Sequence, residues 1–135
     1  MFLAMDAPFP RSVVGIDVSK ATLAVCYQPA DQPLRHLEVS NSKAGFQQLV
    51  KACGAQCLFV MEATGTYNLA VAYYLHEHGG QVAVLNPLVI RRFIQMHLGK
   101  GKSDRKDAQW LLRYGQQQTV TAWQPDEQVL VECRQ

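Results

Sequence analysis

The segment Ser12-Val-Val-Gly-Ile-Asp-Val18, joined through Ser19-Lys20 to Ala21-Thr-Leu-Ala-Val-Cys-Tyr27, decides how this chain folds. Two apolar, β-branched runs separated by a turn of two residues predict a tight hairpin. A link containing Pro29 and Pro33 then leads to a third strand near Leu34 to Val39. Its Arg35, His36 and Glu38 give that strand the polar look of a sheet edge. Three consecutive strands therefore open the fold.

Downstream the period changes. After Asn41 or Ser42 as a cap, Phe46, Leu49, Val50 and Cys53 fall at helical spacing and Gly54 closes the turn. Cys57-Leu-Phe-Val-Met61 is apolar at every position, as a strand covered on both faces should be, and it ends in Glu62. A second helix from about Tyr67 to His78 stops at Gly79-Gly80, and Val82 to Leu85 reads as another buried strand. Pro87 suits the first turn of a third helix to about Met96. Leu98-Gly-Lys-Gly-Lys102 is a loop, and Ser103 caps a last full helix to about Tyr114. The order predicts an α/β fold: a ribonuclease H-like mixed sheet, three antiparallel strands then parallel strands, with helices on both faces.

The 135 residues, 48% of them hydrophobic, are enough for one domain with a real core. The expected division is a flexible leader at 1–11, the catalytic domain at 12–115, and a linker with the start of a truncated helix at 116–135. A net charge of +2 does not announce a nucleic-acid protein, so the placement of charges has to carry that argument. The start of the chain is too interrupted for a signal peptide, and no apolar run approaches the roughly 20 residues of a membrane span. Four cysteines (Cys26, Cys53, Cys57 and Cys133) in such a chain suggest a reducing, cytoplasmic setting.

Asp17 and Glu62 end the two strands expected at the sheet centre, where ligands of open α/β sheets bind. Asp104 and Asp107 are spaced i, i+3 and share a helix face with Ala108, Leu111 and Leu112, the stripe that helix must bury. Each acid alone has an ordinary role, as a hairpin residue, a strand end or a partner of the helix dipole. Together they make a half-buried carboxylate cluster that needs a cation, and hard oxygen donors suit Mg2+ or Mn2+. Arg91, Arg92, Lys100, Lys102, Arg105 and Lys106 flank the last acidic pair, where they would hold phosphates.

Four segments carry a resemblance: Gly15-Ile-Asp-Val-Ser-Lys20, Glu62-Ala-Thr-Gly-Thr-Tyr67, Asn86-Pro87 with Arg91-Arg92-Phe93, and Lys102-Ser-Asp-Arg-Lys-Asp-Ala108. The chain resembles the DEDD transposases of the insertion-sequence one-ten group, whose N-terminal domain is similar to the RuvC-type Holliday-junction resolvase. The resemblance implies that Asp17, Glu62, Asp104 and Asp107 are the metal-binding catalytic acids. It implies strand cleavage and transfer on DNA, a structured guide RNA as partner, and assembly as a homo-oligomer. In that family a C-terminal domain supplies a serine nucleophile. Here the chain stops at Gln135 soon after Trp123-Gln-Pro-Asp-Glu127, so it is expected to be an incomplete recombinase, whether fragment, split-gene product or relic. A second reading is a non-catalytic remnant that binds nucleic acid or a partner, since that role keeps the same acids and bases.

Other residues carry ordinary readings. Cys53 and Cys57 lack a second ligand pair for zinc and are assigned to packing. His76 and His78 suit a helix C-terminus. Trp110 and Tyr114 are read as core or interface, while Tyr67 is read equally as a helix start or a residue approaching DNA. An actin-like kinase would need glycine in the first hairpin, where this chain has Val18-Ser19-Lys20.

Overall fold

The computed structural model describes residues 12–98 and 107–125. Five strands form one sheet in the order β3-β2-β1-β4-β5. The first three, β1 (Val13–Val18), β2 (Thr22–Tyr27) and β3 (Arg35–Ser40), pair antiparallel. β4 (Leu58–Glu62) runs parallel to β1, and β5 (Gln81–Leu85) runs parallel to β4. The expected mixed α/β sheet is therefore present, with β3 at one edge.

Local chemistry sets the boundaries. The Ser19 amide and its hydroxyl both donate to the Thr22 carbonyl at 2.9 Å, which closes the first hairpin. α1 (Lys43–Cys53) is capped by Ser42, whose hydroxyl accepts from the Gly45 amide, and it ends at Gly54 with φ +88°. α2 (Leu69–Glu77) begins two residues after the expected Tyr67. The buried Asn68 accepts from the Thr64 amide at 3.3 Å and so holds residues 64–68 in a turn. Asn86 accepts from the Leu88 amide at 2.8 Å at the start of α3 (Pro87–Leu98). α4 is described from Asp107 to Gln117. The expected cap Ser103 and the loop 98–102 fall, apart from Leu98, outside the described residues, as does the expected final helix after residue 125.

Strand alternation divides the core. Val14, Ile16, Leu23, Phe59 and Met61 face α1 and α2. Val13, Cys26, Leu58, Val60 and Ala83 face α3 and α4 with Phe93, Trp110, Leu111 and Leu112. Trp110 is 4% exposed, which makes it core, and Arg113 lies over its ring at 5.0 Å. α4 rests directly on β1: a Cβ added to Gly15 would overlap the Ala108 carbonyl oxygen and come 2.6 Å from the Leu112 nitrogen. At the other end of the helix, a Cβ on Gly115 would come 2.7 Å from both Val13 and Val60. α4 thus runs antiparallel to β1, with its N-terminus over the strand's carboxyl end.

The strand at 82–85, expected to be buried, does bury Val82 and Ala83 although it is the second edge of the sheet. Its edge is covered because residues 118–125 pass across it. The Trp123 amide donates to the Val82 carbonyl, and the indole packs edge-on against Tyr73 at 5.1 Å and His76 at 6.0 Å. Val120 packs against the α3 and α4 side while Trp123 packs against the other. Trp123→Ala should cost about 2 kcal/mol, below the full penalty for a buried tryptophan because the residue is only partly buried. Urea unfolding checks this, and an unchanged midpoint would mean the segment does not hold the edge.

Among the described residues, no helix is long and apolar enough to cross a membrane.

Candidate active site

Strand register gathers the acids. Asp17 pairs across β2 with Ala24, and Ala24 pairs with Glu38. On the other side the parallel pairing of Ile16 with Met61 brings Glu62 beside Asp17 in the next step of the ladder. Asp17 shares the face of Val13 and Gly15, and Glu62 shares the face of Leu58 and Val60, so both carboxylates point to the α4 side. Asp107, one residue before the Ala108 that seats on Gly15, comes down over them as the first residue of α4. Three elements thus bring three acids to the carboxyl end of the central strands.

Their electrostatics show the closeness. The Asp17 carboxyl is raised above its ordinary value, first by burial and then by the Asp107 charge. Glu62 is raised by burial, then by Asp17 and by Asp107, with Arg91 pulling the other way. The N-terminal end of α4 adds a partial positive charge on the same side. No three His, Cys, Asp or Glu side chains among the described residues stand as a formed metal cluster. Repulsion among the three acids makes it costly to leave them all ionised without a cation. All-oxygen carboxylate donors of this kind fit a hard divalent cation such as Mg2+ or Mn2+. Asp104, the fourth acid expected, lies outside the described residues.

Two grooves open on either side of Asp107. One, about 470 Å³, lies over β2 and β3 and is lined by Asp17, Ala24, His36, Glu38, Asp107 and Gln109 among others. The second, about 180 Å³, lies toward α3 and is lined by Glu62, Arg91 and Asp107 with apolar Ile90, Ile94 and Leu111. Arg91 and Arg92 are both exposed on α3, whereas Lys100, Lys102, Arg105 and Lys106 lie outside the described residues. Tyr67 is 44% exposed on the loop after Glu62. His36 and Glu38 were read from sequence only as edge polarity. Counting residues through two hairpins puts Glu38 in line with Asp17, and that was the available signal.

Cys26 and Cys57 are buried and Cys53 is partly buried. The Cys57 thiol donates to the Cys53 carbonyl at 3.2 Å, and burial, with the neighbouring Cys57, pushes the Cys53 thiol up to about 12. A thiol that stays protonated is neither a nucleophile nor a ready ligand.

This mixed sheet with its helices has the fold of the RuvC structures. The chain superposes on Thermus thermophilus RuvC in complex with a Holliday junction substrate with a TM-score of 0.56 at 13% identity, covering 84% of this chain and 99% of that one. A second Thermus thermophilus RuvC structure matches with a TM-score of 0.52, again at 13% identity, over 83% of this chain and 99% of that one. The chain belongs to the IS110-type DEDD transposase family, whose model, described as "Transposase", matches residues 14–135. It is 30% identical over 121 residues to the pilin gene-inverting protein of Moraxella bovis, covering 85% of this chain. The corresponding protein of Moraxella lacunata is 28% identical over the same length. The chain spans 37% of the length of these relatives.

Proposed function

We propose that this chain is the metal-binding catalytic domain of a DNA transposase, cleaving and transferring strands during movement of an insertion sequence. Asp17, Glu62, Asp104 and Asp107 are the ligands and catalytic acids, and Mg2+ or Mn2+ is the cofactor. The observation that supports this is the convergence of Asp17, Glu62 and Asp107 from β1, β4 and α4 at the carboxyl end of the sheet, where Asp17 is raised by burial and then by Asp107, and Glu62 by burial and then by Asp17 and Asp107. A bound divalent pair would activate the attacking oxygen and stabilise the leaving one.

The residues around the acids do the rest. β1 and β4 are central strands anchored on both faces, so Asp17 and Glu62 are fixed in direction before substrate arrives. Arg91 and Arg92, with Lys100, Lys102, Arg105 and Lys106, neutralise the phosphate backbone and steer it to the acids. DNA is the proposed substrate and a structured RNA a further partner, working in a homo-oligomer whose remaining functions, including a serine nucleophile, belong to the longer family architecture.

The test uses a fluorescent four-way DNA junction with the full chain. Mn2+ should support nicking that Asp17→Asn abolishes while the variant still binds. Lys100→Ala with Lys102→Ala should weaken binding alike on all sequences and flatten the plot of log affinity against log salt by up to about two units. A wild-type chain that neither nicks nor changes its DNA affinity with metal would defeat the catalytic reading.

A further inference from the structure

Neighbouring arginines on a helix point about 100° apart, so Arg91 and Arg92 meet a bound backbone from different sides even though they are adjacent in sequence. Ile90 and Phe93 bury the inner face of α3 against α4, and Arg91 stands on the flank that turns toward β4. There it forms a wall of the smaller groove, opposite Glu62 and Asp107. Arg92 falls one step further round, on the stripe of Leu88 and Met96, which are 45% and 73% exposed. That stripe faces away from the acids.

The two grooves beside Asp107 differ in charge. Among the described residues, the larger one is lined by Asp17, His36, Glu38 and Asp107 with no lysine or arginine. Its acids would repel a phosphate. The smaller one pairs two carboxylates with one guanidinium, and Ile90, Ile94 and Leu111 make its remaining walls apolar. An apolar wall lowers the local dielectric and strengthens any charge interaction inside it. The charge of Arg91 already reaches Glu62, where it opposes the upward push from Asp17 and Asp107.

Building on the metal-dependent reading above, we propose that Arg91 is a catalytic residue that holds a non-bridging oxygen of the phosphate under attack, on the α3 side of the acids. Without metal its guanidinium compensates Glu62. With that compensation supplied by a divalent cation held by Asp17, Glu62 and Asp107, the planar fork of Arg91 would be free for the phosphate, for which its two parallel N–H donors are suited. The scissile phosphate then sits toward α3 and away from the His36 and Glu38 groove. Arg92 contributes a backbone contact remote from the acids.

The experiment compares wild type, Arg91→Ala, Arg91→Lys and Arg92→Ala as full chains, with two readouts. The first is the thermal midpoint as Mn2+ is titrated without DNA. Because Arg91 competes with the cation for Glu62, Arg91→Ala should lower the half-saturating Mn2+ concentration about threefold or more, while Arg91→Lys and Arg92→Ala leave it near wild type. The second is affinity for a four-way DNA junction in Ca2+ and in chelator. Arg91→Ala should lose about tenfold with Ca2+ and little in chelator, the size expected when a charged hydrogen-bond pair is lost. Arg91→Lys should lose an intermediate amount with Ca2+, and Arg92→Ala should lose the same small factor in both buffers. If wild type responds to metal but Arg91→Ala and Arg92→Ala behave alike in both assays, the assignment of Arg91 is overturned and the metal site stands. If wild type itself shows no response to metal, the metal-dependent reading falls and takes this one with it.

Discussion

Gly15→Ala is expected to destabilise the chain by about 3 kcal/mol, the upper end for overpacking a core, and to blunt its response to metal. The added methyl would overlap the Ala108 carbonyl oxygen, lie 2.6 Å from the Leu112 nitrogen and lie 3.1 Å from the Ala108 carbonyl carbon. All three are backbone atoms of α4 and cannot rotate aside. The helix must lift, and the buried Ala108, Leu111 and Leu112 lose their seat on the sheet. Asp107 lifts with Ala108, away from Asp17. Gly115→Ala is the control, because its methyl meets side-chain methyls of Val13 and Val60 that have some room to adjust. Chemical unfolding of the two variants should therefore rank Gly15→Ala as clearly worse. Equal costs would mean that α4 does not depend on direct backbone contact with β1.

That contact also marks where sequence reading reaches its limit. Alternation and helical spacing are local signals, and they were enough for five strands, four helices and the sides on which they pack. Asp17 and Glu62 could be brought together because two central strands that end in acids leave few other arrangements. The resemblance in Gly15-Ile-Asp-Val-Ser-Lys20 and its companion segments reached the same family that the match over residues 14–135 establishes. Gly15 itself read as one small residue in an apolar run. Its role depends on a helix more than 90 residues away in the chain, which no local period reports.

Other features were hidden for the same reason. The run Val82 to Leu85 is apolar enough for an interior strand, yet it lies at an edge, because Trp123 and the segment before it supply the missing cover. Arg91 and Arg92 form one basic pair in sequence and are separated only by the angle of α3 on α4. Tyr67 gave no sign of the turn that delays α2, which is held by the Thr64 amide donating to Asn68, the Tyr67 amide donating to the Thr64 carbonyl and the distant Asn41 side chain donating to the Tyr67 carbonyl. Each miss involves a contact between residues whose local patterns say nothing about each other.

The second large effect is an exchange of rank between wild type and Asp17→Asn when metal is added. In metal-free buffer the folded chain holds the Asp17 and Glu62 carboxyls above their ordinary 3.8 and 4.5, chiefly through burial. A carboxyl raised on folding binds its proton more tightly in the folded state than in the unfolded one. Its stabilising contribution is complete below the unfolded value and is lost as pH rises through the folded value. At neutral pH both groups are therefore ionised at a cost to stability, and Asp17→Asn, which removes one charge of the cluster, should melt a few degrees above wild type. The difference should shrink as pH falls toward 4, where the wild-type groups regain protons. Millimolar Mg2+ or Mn2+ should reverse the order. A cation that binds only the folded arrangement stabilises wild type by about 2.7 kcal/mol at roughly 100 times its dissociation constant, and the variant gains little because a ligand is missing. Thermal midpoints of both proteins, with and without metal, from pH 4 to 8 check every sign. Parallel curves that never cross would show that Asp17 neither suffers from its neighbours nor serves a shared cation.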